Sequence, residues 1–399
     1  MDKTEKIQSI LKAVEQEVNQ WVNEEENIRD PILYEQKLLE MAFNFGKTLM
    51  LSSQGKVPKD RNVKKKVLTC FGKVELKKIH PLSQGTSRFK VSMALQELIC
   101  LFAQSSVFED VSDLLEKVFP ISISNKQIQR VSEWYGDQLN PIIEANQEEF
   151  IPQLPKMKQP EQTTYVMVDG SMINTIGEKW KEIKLGRVFH QDSNVEISPG
   201  RKEIQHSVYV SHLGSIDEFF PKFERHLTGY RNKVFICDGA KWIWNWVDSN
   251  YPGATQILDF YHATEKLELF ARNHFIKKEK KEEWLVRQKS LLMTDQVLTV
   301  IENIQSLKPR NKEARETKEK VIQYYIEHED RMMYQSAKNR GLLIGSGPIE
   351  AAHRKVIHQR LKLSGQKWSI KGANAIANLR CYKASNAWPL IINLIKLAA

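Results

Sequence analysis

The most constraining stretch of the sequence is VFICDGAKWIWNWVDSNYPGATQILDFYH, residues 234–262, which predicts two buried strands joined by a short helix. Residues 233–237 and 254–258 are brief, mostly apolar runs, as in strands that are covered on both faces. Residues 240–247, rich in tryptophan, fit a helix between them. The stretch therefore predicts a strand–helix–strand unit of an α/β sheet.

An aspartate follows each of these strands, Asp238 the first and Asp259 the second. A strand–helix–strand unit places the carboxyl ends of its parallel strands at one edge of the sheet, where open α/β sheets bind ligands. An unpaired carboxylate beside buried apolar neighbours is costly, so acids at this edge indicate a function.

The composition narrows the class of protein. The 399 residues can hold two or three domains, and the net charge of +10 indicates a polyanionic partner without specifying a fold. The charged residues 1–20 differ from a signal peptide, and no apolar run approaches the ~18 residues of a membrane span. The cysteines form no CxxC pair, which argues against a zinc ribbon and a disulfide scaffold; they are Cys70, Cys100, Cys237 and Cys381. We therefore expect a soluble cytoplasmic protein without a membrane partner.

Two regions precede the predicted sheet. Residues 1–53 carry ten acidic and six basic residues with apolar residues at helical spacing, which predicts a helical hairpin that avoids DNA. The next region, residues 54–160, begins basic, with nine Lys or Arg against two acids over residues 56–80. Within it, VLTCFGKVELKKI alternates around Phe71-Gly72 and predicts a β-hairpin. Its basic flanks fit either a DNA contact or a solvated loop.

A helix-turn-helix pattern follows in this second region. Residues 108–118 fit an amphipathic helix, Phe119-Pro120-Ile121 ends it, and Ser124 begins another helix with Gln127 at capping-box spacing. In a helix-turn-helix the second helix reads base edges; here its exposed polar residues would be Asn125, Gln129 and Arg130. Two helices joined by a short turn are also a common packing unit, so both interpretations remain open. Four prolines between 141 and 160 predict a linker.

Three further strands are predicted from Thr163 onward, where the apolar pattern changes from helical to strand periodicity. They are TTYVMVDG, which ends at Asp169-Gly170, and residues 182–190 and 205–213. With the two strands above, the order β-β-β-α-β-α, continued by the fifth strand, predicts an RNase H-like mixed sheet, in which the first strand lies beside the fourth. Asp169 would then face Asp238, although an Asp-Gly pair at a strand end is often only a turn.

Two facing carboxylates about 4 Å apart repel by roughly 4 kcal/mol at an effective dielectric near 20. Such a pair holds a divalent cation or lets one acid take up a proton. Hard oxygen ligands suit Mg²⁺, with Mn²⁺ as the alternative.

A third acid, Glu350, follows a glycine turn after the charge-rich helical residues 264–340. An acid near a helix N-terminus is stabilised by the helix dipole alone, which is the bland interpretation. However, residues 351–399 contain nine Lys or Arg and no acid, so Glu350 fits a metal ligand at the edge of a phosphate-binding surface. The predicted DNA-contacting residues of this tail are Arg354, Lys355, Arg360, Lys362 and Trp368.

Six blocks between residues 163 and 390 carry a specific resemblance. They read VMVDGSM, EIKLGRVF, ICDGAKWIW, ILDFYHATEKL, GSGPIEAAHR and QRLKLSGQKWSIKGANAIANLR. In this order and without a missing block, they resemble the ISKra-type transposases of bacterial insertion sequences, DDE enzymes related to the Mutator-like group. Upstream, LTCFGKVELKK resembles the hairpin that precedes the family's DNA-binding region.

The resemblance implies an RNase H-like DDE core, residues 161–263 and 341–399, flanked by helices and interrupted by a helical insertion, residues 264–340. Its triad matches Asp169, Asp238 and Glu350. Asp259 and His262 match a DxxH block with a supporting role, although a structural histidine is an equal alternative. Two Mg²⁺ ions are implied, with Asp169 bridging them. No zinc is expected, because only Cys70 remains where some members have paired cysteines.

The implied activity is binding of the element's terminal inverted repeats, followed by metal-dependent DNA cleavage and strand transfer. The resemblance also implies a homodimer or higher oligomer on DNA, associated with the nucleoid. Two alternatives stay open: a non-mobile DNA-binding descendant, and a structure-selective RNase H-like nuclease that cuts without joining.

Overall fold

The computed structural model describes residues 3–22, 31–52, 64–78, 80–83, 86, 88–119, 121–145, 147–159 and 161–398. The chain divides into two compact units, Met1–Gly136 with Ile391–Ala399, and Asp137–Leu390. The boundary lies inside the helix Asn125–Glu144, before the proline-rich residues at which the sequence predicts a linker.

The first unit begins with two helices, Lys3–Val22 and Pro31–Ser52. Their amphipathic spacing predicts both, and Trp21 of the first stacks on Tyr34 of the second with ring centroids 5.2 Å apart. A β-hairpin follows, β1 (Lys64–Thr69) paired antiparallel with β2 (Gly72–Lys77). The predicted hairpin is confirmed where the structure describes it; most of the basic run before it, residues 53–63, lies outside the described residues.

The hairpin alternates as its sequence does, because successive side chains of a strand point to opposite faces. Val67, Val74 and Leu76 are buried, whereas Lys64, Lys66, Lys73 and Glu75 are exposed. Gly72 has φ 89°, a left-handed conformation that favours glycine after the two-residue turn.

Three helices follow the hairpin: Met93–Ala103, Phe108–Val118 and Asn125–Glu144, the last of which continues past the unit boundary. The second ends at Val118, as predicted, and the third begins after Ser124, whose Oγ accepts from the N–H of Gln127 at 3.3 Å. The side chain of Gln127 has other partners: its Nε2 donates to the carbonyl of Phe89 at 3.0 Å, and its Oε1 accepts from Arg130 Nη2 at 2.6 Å.

The predicted linker is wrong at both ends. The helix Asn125–Glu144 continues through Pro141, which lies in its last turn and interrupts only one backbone hydrogen bond. Further on, Phe150 is buried and its carbonyl accepts from the hydroxyl of Tyr382 at 2.8 Å, while His226 Nδ1 lies 3.0 Å from the carbonyl of Pro152. This segment packs within the second unit because it contributes apolar side chains as well as prolines.

The second unit is built on a five-stranded mixed sheet. Its strands are β3 (Thr164–Thr175), β4 (Lys179–His190), β7 (Val208–Leu213), β8 (Lys233–Cys237) and β9 (Thr255–Leu258), which lie side by side in the order β7-β4-β3-β8-β9. β3, β4 and β7 pair antiparallel, whereas β3, β8 and β9 pair parallel. Numbered within the sheet, the order is 3-2-1-4-5, so the prediction that the first strand lies beside the fourth is confirmed.

β3 and β4 are longer than the sequence predicts. β3 does not end at Asp169-Gly170 but continues to Thr175, because its last residues pair with Lys179–Ile183 in a hairpin closed by Gly177 at φ 89°. A second hairpin, β5 (Asn194–Ser198) and β6 (Arg201–Ile204), lies between β4 and β7 and was not predicted.

Helices make up most of the rest of the chain after Thr163. The predicted helix between β8 and β9 is Lys241–Asn250, whose Trp246 stacks on Phe220 at 4.3 Å. The other helices are Ile216–Glu224, Phe260–His274, Lys278–Met293, Val297–Ser306, Lys312–Glu327, Tyr334–Asn339, Gly347–Ala352, Gln359–Leu361, Ile370–Ala384 and Trp388–Leu397, with a π-helix at His353–His358. Residues 264–340 are mainly helical, as predicted. In the described part of the chain, no helix has the length and apolar character to cross a bilayer.

Candidate active site

Asp169 lies within β3, with its side chain partly exposed at the edge where β3 extends past its pairing with β8. Burial and then the neighbouring Asp238 raise the pKa of its carboxyl to about 6. The N–H of Gly170 donates to Asp169 Oδ1 at 2.7 Å, which partly offsets this. Asp169 is therefore an acid whose ionised form is destabilised by its surroundings.

Asp238 follows β8, whose parallel register pairs Phe235 with Val166. Three residues further along both strands, the same register leads to Asp169 and Asp238. Asp238 Oδ1 accepts from the N–H of Ala240 at 3.0 Å, and its carbonyl accepts from Trp244 Nε1 at 2.6 Å. These bonds fix the turn that holds the carboxylate.

Gly239 allows a close approach between its backbone and a neighbouring side chain, and its φ lies outside the left-handed region. A Cβ on it would lie 2.2 Å from Cε2 and 2.5 Å from the hydroxyl of Tyr324, which comes from the helix Lys312–Glu327. Burial, and next the charge of Asp238, raise the pKa of the Tyr324 phenol. The helical segment between β9 and Glu350 thus places a side chain against the acid-bearing edge.

Asp259 is fully buried and caps the helix Phe260–His274. Its Oδ1 accepts from the N–H groups of Tyr261 and His262, and its Oδ2 from the N–H of Ser346. Burial raises the pKa of Asp259, but the imidazole of His262 and the N–H of Ser346 outweigh burial and bring it to about 2. Asp259 is therefore the ionised anchor of this edge.

His262 lies one turn into that helix, with Nδ1 3.7 Å from Asp259 Oδ2. The Asp259 carboxylate raises the pKa of His262 to about 9 against the opposing effect of burial, and Asp238 adds to the increase. The imidazole also lies near enough to Asp169 to lower the pKa of that acid.

Glu350 is exposed in the first turn of the helix Gly347–Ala352, with Pro348 in the same turn as predicted. This helix packs against β3 and β4, and Arg187 of β4 donates through Nη1 to the carbonyl of Pro348 at 2.6 Å. The N–H of Phe260 donates to the carbonyl of Ile344 at 3.0 Å. The turn before Glu350 is thus tied both to β4 and to the end of β9.

The tightest group of potential metal ligands differs from the predicted triad. Ligand atoms of Asp259, His262 and Glu350 all lie within 4.8 Å of one another, and among the described residues this is the one group of at least three that could hold a metal ion. Asp169 and Asp238 lie outside that group but are coupled electrostatically to each other and to His262.

His353 was missed by the sequence analysis. It is buried, and its Nε2 lies 3.4 Å from Asp169 Oδ2, which connects the chain just after Glu350 to β3. Burial lowers the pKa of His353 to about 4, so the imidazole is neutral near pH 7. It begins a π-helix, a distortion that is frequent at functional sites. Its position three residues after Glu350, on the same side of a helix, is the signal that could have indicated it.

The predicted DNA-contacting tail is partly wrong. Arg354, Lys355 and Lys362 are exposed. Arg360 is only 1% exposed and its guanidinium lies 4.8 Å from the ring centroid of Trp368, itself buried. Because these two side chains pack against each other inside the protein, neither is placed to contact a phosphate.

The polar residues predicted to read bases lie on one exposed side of the helix Asn125–Glu144. Asn125, Gln129 and Arg130 are all exposed. Gln129 Nε2 donates to Glu133 Oε1 at 2.8 Å, and Arg130 Nη2 donates to Gln127 Oε1 at 2.6 Å. Base contacts by these side chains would have to replace those bonds.

Comparison with known proteins gives little further information. No family model matches the chain, and no curated protein matches it. A solved structure of the Drosophila P element transposase strand transfer complex is similar over 79% of this chain and 96% of that chain, with a TM-score of 0.37 and 11% identity. A similarity this distant supports no conclusion about function.

Proposed function

We propose that the chain is a transposase of the ISKra-type DDE group, which binds insertion-sequence ends and catalyses metal-dependent DNA cleavage and strand transfer. Two observations support the proposal: Asp238 raises the pKa of Asp169, and ligand atoms of Glu350 lie within 4.8 Å of those of Asp259 and His262. Asp169 comes from β3, Asp238 follows β8, and Glu350 begins a helix that packs on β3 and β4.

The sheet supports an RNase H-like core. Its order is 3-2-1-4-5, with the second strand antiparallel to its neighbours and the other four strands running in one direction, which is the arrangement that the RNase H-like hypothesis requires. The helical residues 264–340 separate the fifth strand from Glu350, as the hypothesis also requires. Fold alone does not determine activity, so the proposal depends on the acids.

The carboxylates fit a divalent cation. Burial and Asp238 raise the pKa of Asp169, so the metal-free site favours a proton that a cation would replace. Oxygen donors from Asp169, Asp238 and Glu350 suit Mg²⁺, or Mn²⁺ in its place. Asp169, Asp238 and Glu350 are the residues that would hold two such ions.

The protein's own residues would position the reaction. Bound metal would supply activation of water or a DNA 3′-hydroxyl and stabilisation of the leaving oxygen. Asp259 would hold the turn before Glu350 in place, and Gly239 would let Tyr324 close one side of the site. None of these roles requires a covalent intermediate on the protein.

DNA is the proposed partner. The net charge of +10 and the exposed Arg354, Lys355 and Lys362 beside the acid edge fit phosphate contacts. Because phosphate contacts position a protein without specifying a sequence, recognition of the element's ends is assigned to the first unit. Joining two ends to one target would require at least two copies of the chain.

The test is nicking of supercoiled plasmid by the full-length protein with Mg²⁺ or Mn²⁺. We expect nicking that requires the metal and is lost in Asp238→Asn. Asp217→Asn, an exposed acid at the start of the helix Ile216–Glu224, is the matched control and should nick normally. Metal-dependent nicking by a folded Asp238→Asn protein would contradict the proposal.

A further inference from the structure

We propose that His262 is itself a metal ligand. One metal ion would then be held by the imidazole of His262 together with the carboxylates of Asp259 and Glu350. This rests on the proposed function, which places metal at this edge. It goes further than that function, because the DDE hypothesis gives His262 only a supporting role. In that hypothesis all metal ligands are carboxylate oxygens.

The first argument is geometric. Ligand atoms of Asp259, His262 and Glu350 lie within 4.8 Å of one another. Ligands bound at about 2.0 to 2.2 Å from one ion can be separated by at most about 4.4 Å, so a small movement of the exposed Glu350 closes the set. Asp259 and His262 are both held at the start of the helix Phe260–His274, where Asp259 is buried and His262 is half-buried.

The second argument concerns the orientation of His262. Its backbone N–H donates to Asp259 Oδ1 at 3.0 Å, so the helix cap fixes the backbone position from which the imidazole extends. Its Nδ1 is buried, lies 3.7 Å from Asp259 Oδ2, and makes no hydrogen bond within the described part of the chain. In the metal-free protein this nitrogen faces the Asp259 carboxylate as an ion pair, and a cation bound between the two side chains would replace its proton.

An independent observation comes from the other side of the acid group. His353 is only 3% exposed, and neither of its ring nitrogens has a hydrogen-bond partner among the described residues. Its Nε2 lies 3.4 Å from Asp169 Oδ2. Two imidazoles therefore face these carboxylates from two different helices, which points to a ligand with affinity for both oxygen and nitrogen.

His262 is the better candidate for coordination. It lies within the group that includes two carboxylates, whereas His353 contacts Asp169 alone. An imidazole ligand favours Mn²⁺, Co²⁺ or Zn²⁺ over Mg²⁺, which prefers oxygen. The two positions would then differ in chemistry, with an all-oxygen set at Asp169 and Asp238.

The experiment uses the full-length protein with Mn²⁺ alone as the probe. Electron spin echo envelope modulation of bound Mn²⁺ detects a directly coordinated ¹⁴N. We expect nitrogen modulation in the wild-type protein, its loss in His262→Gln, and its retention in His353→Gln, the matched control. Mn²⁺ affinity by calorimetry should fall about tenfold or more in His262→Gln.

The outcomes separate the two proposals. Bound Mn²⁺ without nitrogen modulation would overturn the role of His262 and leave a carboxylate centre intact. Loss of modulation in His353→Gln but not in His262→Gln would also overturn it. Absence of any Mn²⁺ binding would contradict the proposed function as well. If His262→Gln does not fold, modulation that persists in His353→Gln still supports the assignment.

Discussion

Asp259 accepts a hydrogen bond from the backbone N–H of Ser346, 87 residues away, and so ties the end of β9 to the turn before Glu350. The same carboxylate caps the helix that carries His262. One buried acid therefore fixes the starts of two helices whose side chains meet at the candidate site. This makes Asp259 a structural residue whatever else it contacts.

Asp259→Asn should destabilise the protein. The amide can accept some of the same bonds, but the charged acceptor and the ion pair with His262 are lost, so we expect a loss of about 1 to 3 kcal/mol in unfolding free energy. Urea unfolding measures it, with the exposed Asp217→Asn as control. An unchanged unfolding free energy would mean that Asp259 does not anchor these helices.

Asp169→Asn should have the opposite effect in metal-free protein. The raised pKa means that the folded protein keeps a proton between about pH 4 and 6 that the unfolded chain has released, so stability falls as pH rises through this window. Asparagine at this position does not titrate, so the variant lacks this loss of stability. At pH 8 with chelator we expect the variant to be more stable by about 1 to 2 kcal/mol, reduced from the full shift because Asp169 is partly exposed.

The measurement is urea unfolding at pH 5 and pH 8 in chelator. The variant's advantage should be larger at pH 8 than at pH 5. A variant that unfolds more easily than wild type at pH 8 would indicate that the ionised Asp169 stabilises the fold.

The sheet could be predicted because most of its strands are recognisable from their own local sequence. Apolar runs that stop at Asp238 and Asp259 indicate buried parallel strands without knowledge of any partner. The end of β3 could not be read in this way, because residues 171–175 are held by pairing with β4 rather than by their own pattern. The end of the helix Asn125–Glu144 was likewise obscured by Pro141, which a last turn tolerates.

The acidic residues of the site could be predicted from the sequence, but the contacts that distant segments make with them could not. Asp169, Asp238 and Glu350 stand out by position, whereas the approach of Tyr324 to Gly239 depends on a segment about 85 residues away. The burial of Arg360 shows the limit of counting charges. A basic residue can be buried when its charged group packs over an aromatic ring, as Arg360 does over Trp368.

Neutralising Arg354 and Lys355 together should weaken DNA binding similarly for element ends and random DNA. If each contacts one phosphate, the slope of log affinity against log salt should flatten by about 2. The double variant with Gln at both positions is compared with Lys278→Gln/Lys280→Gln, two exposed lysines of the helical insertion. A slope equal to that of wild type would mean that Arg354 and Lys355 are only solvated.

Asn125→Ala/Arg130→Ala should remove sequence preference without removing chemistry. If these exposed side chains read bases, each should contribute about 1 to 3 kcal/mol of preference for the element's inverted repeat over random DNA. Full-length protein is used, and metal-dependent nicking of an unrelated plasmid should be unchanged. Retention of the full preference for the repeat would place recognition elsewhere in the chain.

The most direct test of the central claim is joining of a pre-cleaved element end, with a free 3′-hydroxyl, to plasmid DNA in Mg²⁺ or Mn²⁺. The wild-type protein should form joined products only with metal, and Glu350→Gln should form none while still binding the DNA. Nicking without any joining would identify a nuclease rather than a transposase. Joining by Glu350→Gln at the wild-type rate would contradict the assignment of Asp169, Asp238 and Glu350 as the catalytic acids.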